Sequence, residues 1–139
     1  MNALCEMGKQ YGPLGGRILL ALIFLISGYD KIGGFSGTAA YMAGKGIPFA
    51  EAALVISIVI EIGGGLMLIA GWKARWAATA IFLWLIPVTL LFHNFWAVDA
   101  AQYQNQFNHF LKNLCIIGGM LYIMAFGAGP LSLDARGKT

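Results

Sequence analysis

The sequence predicts an all-α polytopic membrane protein, a four-transmembrane-helix bundle with a short interfacial helix in its first outer loop. The first observation is composition: of 139 residues, 59% are hydrophobic and only 11% are charged, which is roughly half the usual charged share. The second is spacing, because the apolar residues fall into runs that approach the ~20 residues a helix needs to cross a bilayer. Transmembrane strands are excluded, since they are shorter and alternate polar with apolar side chains.

The chain is predicted to form a single domain over residues 1–139, with its spans at about 14–32, 49–70, 76–95 and 107–126. A cleavable signal peptide is the alternative for the first run, but its length and the Arg17 near its start favour a span. Ser36 or Thr38 could cap a helix in the first connection, so that connection is expected to form the interfacial helix. An irregular loop is the alternative there, and the polar segment 97–109 is expected to be a loop.

The basic residues predict the orientation of the chain. With four spans, both termini and the second connection share one side. That side holds six of the nine Lys and Arg residues: Lys9, Arg17, Lys73, Arg75, Arg136 and Lys138. The other side holds Lys31, Lys45 and Lys112. Because cytoplasmic loops carry the excess of basic residues, both termini are predicted to be cytoplasmic. Topology and anionic lipid then account for the net charge of +3, and no nucleic-acid partner is predicted.

Glu61 is an unexpected residue, because it stands in the middle of the apolar segment VISIVIEIGGGLMLIAG (55–71). Its helical face carries Ser57, Gly64, Gly65 and Leu68, and small residues let another helix approach closely. Glu61 is therefore expected to face the bundle interior. An isolated charge in hydrocarbon costs at least ~2.5–3.5 kcal/mol on insertion scales, so Glu61 must pair with a cation or be protonated. Its depth leaves Arg17 and Lys112 as equally placed partners.

Polar groups also share faces on the other spans. The first stripe is Arg17, Ala21, Phe24, Gly28 and Lys31; the third helix offers Thr79, Ile86, Thr89 and His93; the fourth offers His109, Lys112, Asn113 and Ile116. All four helices are therefore predicted to offer polar groups to a common interior. A structural alternative stands beside each functional one: Glu61 could belong to an ion pair that only fixes helix register, and Lys31 could be an interfacial lysine that reaches toward water.

The two cysteines and two histidines give weaker signals. Cys5 and Cys115 are expected to be free thiols, one of them packed, and no C-x-x-C motif provides a dithiol redox centre. His93 and His109 are expected near the same level and could ligate a haem, but histidines at a polar boundary without a ligand are more common. No metal site is predicted.

These segments together resemble the DoxX family of small four-span bacterial inner-membrane proteins. The resemblance covers about residues 17–136 and rests on RILLALIFLISGYDKIGGF (17–35), GTAAYMAGKGIP (37–48), IEIGGGLMLIAGWKARWAA (60–78), FHNFW (92–96) and FLKNLCIIGGML (110–121). It implies a multi-pass protein of the bacterial inner membrane that is associated with redox chemistry, since related proteins include a subunit of thiosulfate:quinone oxidoreductase and membrane partners of thiol-oxidative-stress enzymes. It makes these residues the ligand-binding or proton-handling candidates: Arg17, Lys31, Glu61, His93, Lys112 and Asn113.

The leading functional interpretation is a redox-associated protein that binds a quinone or a similar amphipathic molecule within the bundle, as a subunit of an oxidoreductase. Lys112 and Asn113 would donate hydrogen bonds to a carbonyl, with Glu61 deeper as a proton acceptor. The pocket is expected to open outward between the second, third and fourth helices, walled by Leu68, Ile86 or Ile116. The alternative is a non-enzymatic membrane scaffold or assembly partner. The sequence leaves open whether the protein is an enzyme, which oxidoreductase subunit it would join, and whether it forms a homo-oligomer.

The predicted topology can be tested with a reporter fusion. Alkaline phosphatase fused after Thr139 should be inactive, because a cytoplasmic C-terminus keeps the enzyme in a reducing compartment. A fusion in the second connection, after Lys73, should be inactive as well, whereas one after Lys45 should be active. An active fusion at Thr139 would contradict the topology.

Overall fold

A computed structural model describes residues 2–137, and within that range the secondary structure is entirely helical. The α-helices are α1 (Asn2–Gly33), α2 (Phe35–Gly44), α3 (Ala50–Ile58), α4 (Gly64–Ala70), α5 (Ala74–Phe92), α6 (Ala100–Phe126) and α7 (Leu133–Arg136). A π-helical turn, Val59–Gly63, joins α3 to α4 into one span, and a 3₁₀ turn, Phe95–Ala97, follows α5. In the described range, four helical stretches are long and apolar enough to cross a membrane: Ala3–Gly33, Ala50–Ala70, Ala74–Ala97 and Ala100–Phe126.

The core of the bundle is small and mostly aliphatic. It includes Ala21, Leu68, Ala78, Ile81 and Met120, which are fully buried where the four spans meet. Many larger apolar side chains remain on the outside, such as Leu19, Val59, Leu83 and Tyr122. An apolar surface of this extent would promote aggregation in water, whereas the hydrocarbon of a bilayer solvates it. The predicted four-helix membrane bundle is therefore confirmed.

The small-residue face of the second span packs as predicted. Ser57, Glu61, Gly64, Gly65 and Leu68 are all buried. The face of the third span is only partly as predicted, because Ile86 is exposed while Thr89 is buried. The prediction that one cysteine is packed is wrong, since both Cys5 and Cys115 are exposed free thiols.

The helices are longer than the hydrophobic runs. α1 begins at Asn2 and not near residue 14, and α6 begins at Ala100 and not near residue 107. The prediction of a loop over 97–109 is therefore wrong for most of its length. The Asp99 side chain caps α6 by accepting a hydrogen bond from the Gln102 backbone N–H at 3.0 Å. The cap stabilises the start of α6. The Ala and Gln residues that follow it have good helix propensity, so the helix begins before the hydrophobic run.

The first connection forms a helix, α2, as predicted. The residue before it is Gly34, and the side chains of Ser36 and Thr38 lie inside the helix and do not cap it. Met42 is buried with Leu54 at the start of the second span, and the Tyr41 ring lies 5.8 Å from the Phe92 ring at the end of α5. α2 therefore covers one end of the bundle, which is called the α2 end below.

The opposite end, called the tail end, is held by Arg17. Arg17 is only 2% exposed, and its guanidinium donates to the Leu68 carbonyl at 2.9 Å and to the Leu131 carbonyl at 2.6 Å. These bonds tie α1 to the second span and to the segment that follows α6. Gly71 has a φ of +62°, and a Cβ there would clash with Arg17 Nη1, so this turn accommodates glycine only.

The segment after α6 also caps α5. The Asp134 carboxylate accepts hydrogen bonds from the backbone N–H groups of Lys73 at 2.7 Å and Ala74 at 2.9 Å. Its own N–H donates to the Gly71 carbonyl at 2.9 Å. These bonds satisfy helix-terminal groups that have no partner within their own helices, and the carboxylate complements the dipole at the start of α5. The tail end is therefore tied together by hydrogen bonds from Arg17 and to Asp134.

Replacing Arg17 by Met should destabilise the bundle by on the order of 3 kcal/mol, because hydrogen bonds from a charged donor are each worth ~1.5–3 kcal/mol and buried carbonyls would be left unpaired. The free energy of unfolding, measured by denaturant titration in micelles, checks this. Arg75→Met, at an exposed position on α5, is the matched control and should change stability by no more than about 0.5 kcal/mol. Equal effects of the two substitutions would contradict the structural role of Arg17.

Candidate functional site

The half of the bundle nearer the α2 end contains a cavity of about 230 Å³, called the central cavity below. All four spans and α2 contribute to its lining. Its walls are largely apolar and include Phe24, Leu85, Val88 and Ile116. Its lining side chains with polar groups are Ser27, Lys31, Thr38, Tyr41, Ser57, Glu61, Trp84, His93, Lys112 and Asn113. An apolar cavity with a few converging polar groups has the composition of a ligand site.

Glu61 reaches this cavity from the π-helical turn Val59–Gly63. π turns are rare and often occur at functional sites. α1 approaches closely at Gly28, where a Cβ would lie 2.6 Å from Ile62 Cγ1 and 3.4 Å from Glu61 Cβ. The glycine lets the two helices meet beside Glu61, whose side chain is only 2% exposed.

The two carboxylate oxygens of Glu61 have different environments. Oε1 accepts from Lys31 Nζ at 2.9 Å and from Ser27 Oγ at 3.2 Å. Oε2 is buried, and no group within residues 2–137 donates to it. Buried polar atoms are nearly always hydrogen-bonded, so an exception calls for an explanation. Oε2 is thus a buried, unpaired acceptor on a side chain that lines the central cavity.

The predicted partners of Glu61 are wrong, because Lys31 forms the ion pair and neither Arg17 nor Lys112 does. The expectation that Lys31 only reaches toward water is also wrong. The reason is the direction of helical side chains, which point toward the N-terminus of their own helix. On α1 this direction leads Lys31 back into the bundle and Arg17 out toward the tail end. On α6, which runs from the α2 end, it leads Lys112 away from Glu61.

Further hydrogen bonds hold the cavity wall. The Asn113 amide, in a side chain 4% exposed, donates to Thr89 Oγ1 at 3.0 Å, and Thr89 Oγ1 donates to the Leu85 carbonyl at 2.6 Å. Trp84 Nε1 donates to Ser57 Oγ at 3.1 Å. Sequence reasoning missed both Trp84 and Ser27. The available signals were a tryptophan in mid-span, away from the interfaces where tryptophan is enriched, and a serine one helical turn before Lys31.

His93 and Lys112 lie where the cavity approaches the α2 end. His93 Nδ1 lies 3.0 Å from Gln106 Oε1, and its ring stacks on His109 with 5.1 Å between centroids. Rings stacked in this way leave no room for a haem plane between them. Lys112 Nζ lies 3.4 Å from His109 Nδ1, and among the described residues no carboxylate lies within ion-pair distance of it. Lys112 is therefore a cation available to a ligand.

Five of the six predicted site residues line the central cavity: Lys31, Glu61, His93, Lys112 and Asn113. Arg17 does not, because it holds the tail end. Of the three predicted wall residues, Ile116 lines the cavity and Leu68 and Ile86 do not. The cavity also involves α1 and α2, which the prediction had left out of its walls.

Comparison with known proteins places these features in context. The sequence pattern of the DoxX family matches residues 12–94. The chain is 32% identical over 120 residues to inner membrane protein YphA of Escherichia coli, with 86% of each chain covered. It is 35% identical over 126 residues to inner membrane protein YqjF of the same organism, which covers 91% of this chain and 92% of that one.

A eukaryotic relative is longer. A Surfeit locus protein 4 homolog of Schizosaccharomyces pombe is 28% identical over 141 residues, which cover 99% of this chain but 42% of that protein. No solved structure matches the chain. The family match extends from α1 to the end of α5. It therefore includes the Lys31–Glu61 pair and His93 but not Lys112 and Asn113 on α6.

The ion pair predicts an asymmetric response to mutation. Lys31→Met should cost about 3–5 kcal/mol, because it leaves a buried carboxylate without its cation. Glu61→Leu should cost less, since the Lys31 side chain, 25% exposed, can move to water at the α2 end. The double variant should recover much of the loss, because hydrophobic replacement of both partners is often tolerated.

The free energy of unfolding of all three variants checks this. The exposed pair Lys9–Glu6, at 75% and 72% side-chain exposure, is the matched control, and its variant Lys9→Met should lose no more than about 1 kcal/mol. Additive losses in the Lys31–Glu61 double variant would show that the two side chains do not interact.

Proposed function

The chain belongs to the DoxX family, and we propose that it binds the ring of a quinone or of a similar amphipathic molecule in the central cavity. The observation that carries the proposal is the unpaired Glu61 Oε2, on a residue that lines a largely apolar cavity together with Lys112 and Asn113. Burying a carboxylate oxygen without a hydrogen-bond donor makes the free energy of folding less favourable. That loss is recovered only when a ligand or water donates the hydrogen bond.

The size of the cavity favours a single ring. Its volume of about 230 Å³ exceeds the ~150 Å³ of an apolar cavity known to hold benzene. It is smaller than the ~300–1,000 Å³ of sites that enclose a whole drug-sized ligand. A substituted ring therefore fits inside, while a long tail has to remain outside.

A groove beside the central cavity provides a path for the tail. Ile26 and Asp30 of α1 line a shallow groove together with Lys31, Thr38 and Lys112. Lys31, Thr38 and Lys112 also line the central cavity, so the groove adjoins the cavity between α1, α2 and α6. An alkyl or isoprenoid tail leaving by this route would enter the surrounding lipid.

The polar groups have complementary roles in this proposal. Lys112 Nζ donates to one ring oxygen, and Asn113 has a second amide N–H beyond the one given to Thr89. Glu61 lies deeper and acts as a proton acceptor, with Lys31 balancing the charge of its carboxylate. His93 lies where the central cavity approaches the α2 end. Arg17 has no role in ligand binding in this proposal, because its guanidinium donates to backbone carbonyls at the tail end.

The orientation proposed from the sequence puts the cavity in the outer half of the membrane. Among the described residues, the basic side chains at the tail end are Lys9, Arg17, Lys73, Arg75 and Arg136, against Lys31, Lys45 and Lys112 at the α2 end; Lys138 lies outside the described residues. The excess supports a cytoplasmic tail end. A redox reaction at the cavity would exchange electrons with an oxidoreductase partner subunit.

Ligand binding can be followed with Trp84, which lines the cavity. A variant with Trp72, Trp76 and Trp96 changed to Phe leaves Trp84 as the single tryptophan reporter. Its fluorescence in lipid nanodiscs should be quenched in a saturable way by a ubiquinone with one isoprene unit. Lys112→Met should weaken binding by roughly tenfold to a hundredfold, because it removes a charged hydrogen-bond donor, and Asn113→Leu should weaken it by roughly threefold to tenfold.

Matched controls are Lys9→Met and Asn108→Leu, which make the same chemical changes at exposed positions away from the cavity. Both should leave the affinity unchanged. Quenching that does not saturate in the parent protein would contradict the proposed function. Unchanged binding in folded Lys112→Met and Asn113→Leu would return both residues to a structural role and favour the alternative, a membrane scaffold.

A further inference from the structure

We propose that the central cavity prefers the reduced, hydroxyl-bearing form of its ring ligand, with a ring hydroxyl donating to Glu61 Oε2. This inference rests on the proposed function and adds which chemical form of the ligand is held. The shared chemistry is an aromatic hydroxyl, which a hydroquinone supplies and the corresponding quinone lacks.

The two oxygens of Glu61 define what can bind. Oε1 already accepts from Lys31 Nζ at 2.9 Å and from Ser27 Oγ at 3.2 Å. Oε2 has no donor among the described residues. A carboxylate in an ion pair has no proton to give and only accepts hydrogen bonds. A ligand group that contacts Oε2 therefore has to be a donor.

A quinone carbonyl is the wrong group at this position. It also carries only lone pairs, so it would leave Oε2 without a hydrogen bond and would exclude any water that could supply one. Displacing an ordered water with a group that cannot reproduce its bonds weakens binding. A hydroxyl at the same position donates to Oε2 and keeps its own lone pairs for other donors.

The protein groups on the opposite side of the ring can bind either the reduced or the oxidised form of the ligand. Lys112 and Asn113 line the cavity from α6, and both present N–H donors. A carbonyl oxygen or the oxygen of a hydroxyl can accept from them. Of these three residues, only Glu61 therefore distinguishes the two forms, through its Oε2 atom.

The preference has a consequence for redox chemistry. If the reduced form binds tenfold more tightly, the midpoint potential of the bound two-electron couple rises by about 30 mV relative to the free couple. A partner that exchanges electrons at this cavity would then meet a couple that is more easily reduced than the free one.

The test uses three tail-less rings of the same skeleton: tetramethyl-1,4-benzoquinone, its hydroquinone and the dimethyl ether of that hydroquinone. Each is titrated by calorimetry, without oxygen, into the wild-type protein in lipid nanodiscs, and empty nanodiscs correct for partitioning into lipid. The hydroquinone should bind at least about tenfold more tightly than the quinone or the ether, which lack the donor.

Glu61→Gln tests the atom itself. Lys31 Nζ still needs an acceptor, so the carbonyl of the substituted amide takes the place of Oε1 and its N–H₂ group takes the place of Oε2. The group that faces the ring changes from an acceptor to a donor, and the preference should disappear or turn toward the quinone. Glu51→Gln, an exposed change at the start of α3, is the matched control and should keep the wild-type preference.

The outcomes separate this inference from the proposed function. Equal wild-type affinities for the hydroquinone and the quinone would overturn the inference and leave ring binding intact. Absence of binding by all three rings would overturn both. A hydroquinone preference that persists in Glu61→Gln would remove Glu61 from its assigned role. The comparison with the dimethyl ether needs no variant, so it decides the question even where Glu61→Gln fails to fold.

Discussion

The ion pair between Lys31 and Glu61 is the constraint on which the cavity half of the bundle depends. A carboxylate in an apolar bundle is tolerated only beside a cation and further donors. The surrounding features meet that need: α1 continues to Gly33 and so brings Lys31 into reach, Ser27 adds a second donor, and Gly28 lets the helices meet. The π-helical turn presents Glu61 at this contact.

The two ends of the bundle use buried charge for different purposes. Arg17 at the tail end gives its donors to backbone carbonyls, and Asp134 accepts from the start of α5. Those groups are satisfied within the chain and act as structural ties. In the central cavity, Glu61 Oε2 lacks a donor and Lys112 lacks a carboxylate partner among the described residues. This incomplete pairing, and not burial as such, separates the candidate site from the structural end.

The family match divides the cavity into two parts. Residues 12–94 contain the ion pair, the π-helical turn and the wall around Trp84. Lys112, Asn113 and Ile116 come from α6, beyond the matched range. The two E. coli inner membrane proteins align over most of their length with this chain. The cavity therefore combines a buried pair that lies within the family pattern with a set of donors from a helix outside it.

Composition and periodicity by themselves determined the four spans, the helix in the first connection and the inward direction of Glu61. They could do so because apolar length and the 3.6-residue repeat are local properties. They did not determine the start of α6, where a polar segment is helical because Asp99 caps it, or the π-helical turn. The partner of Glu61 was decided only by tertiary structure: Arg17, Lys31 and Lys112 are all cations on inward stripes, and their long side chains differ in reach and direction once the helices are packed. Which oxygen of Glu61 remained open was also decided there, because it depends on the positions of Lys31 and Ser27 across the contact between α1 and the second span.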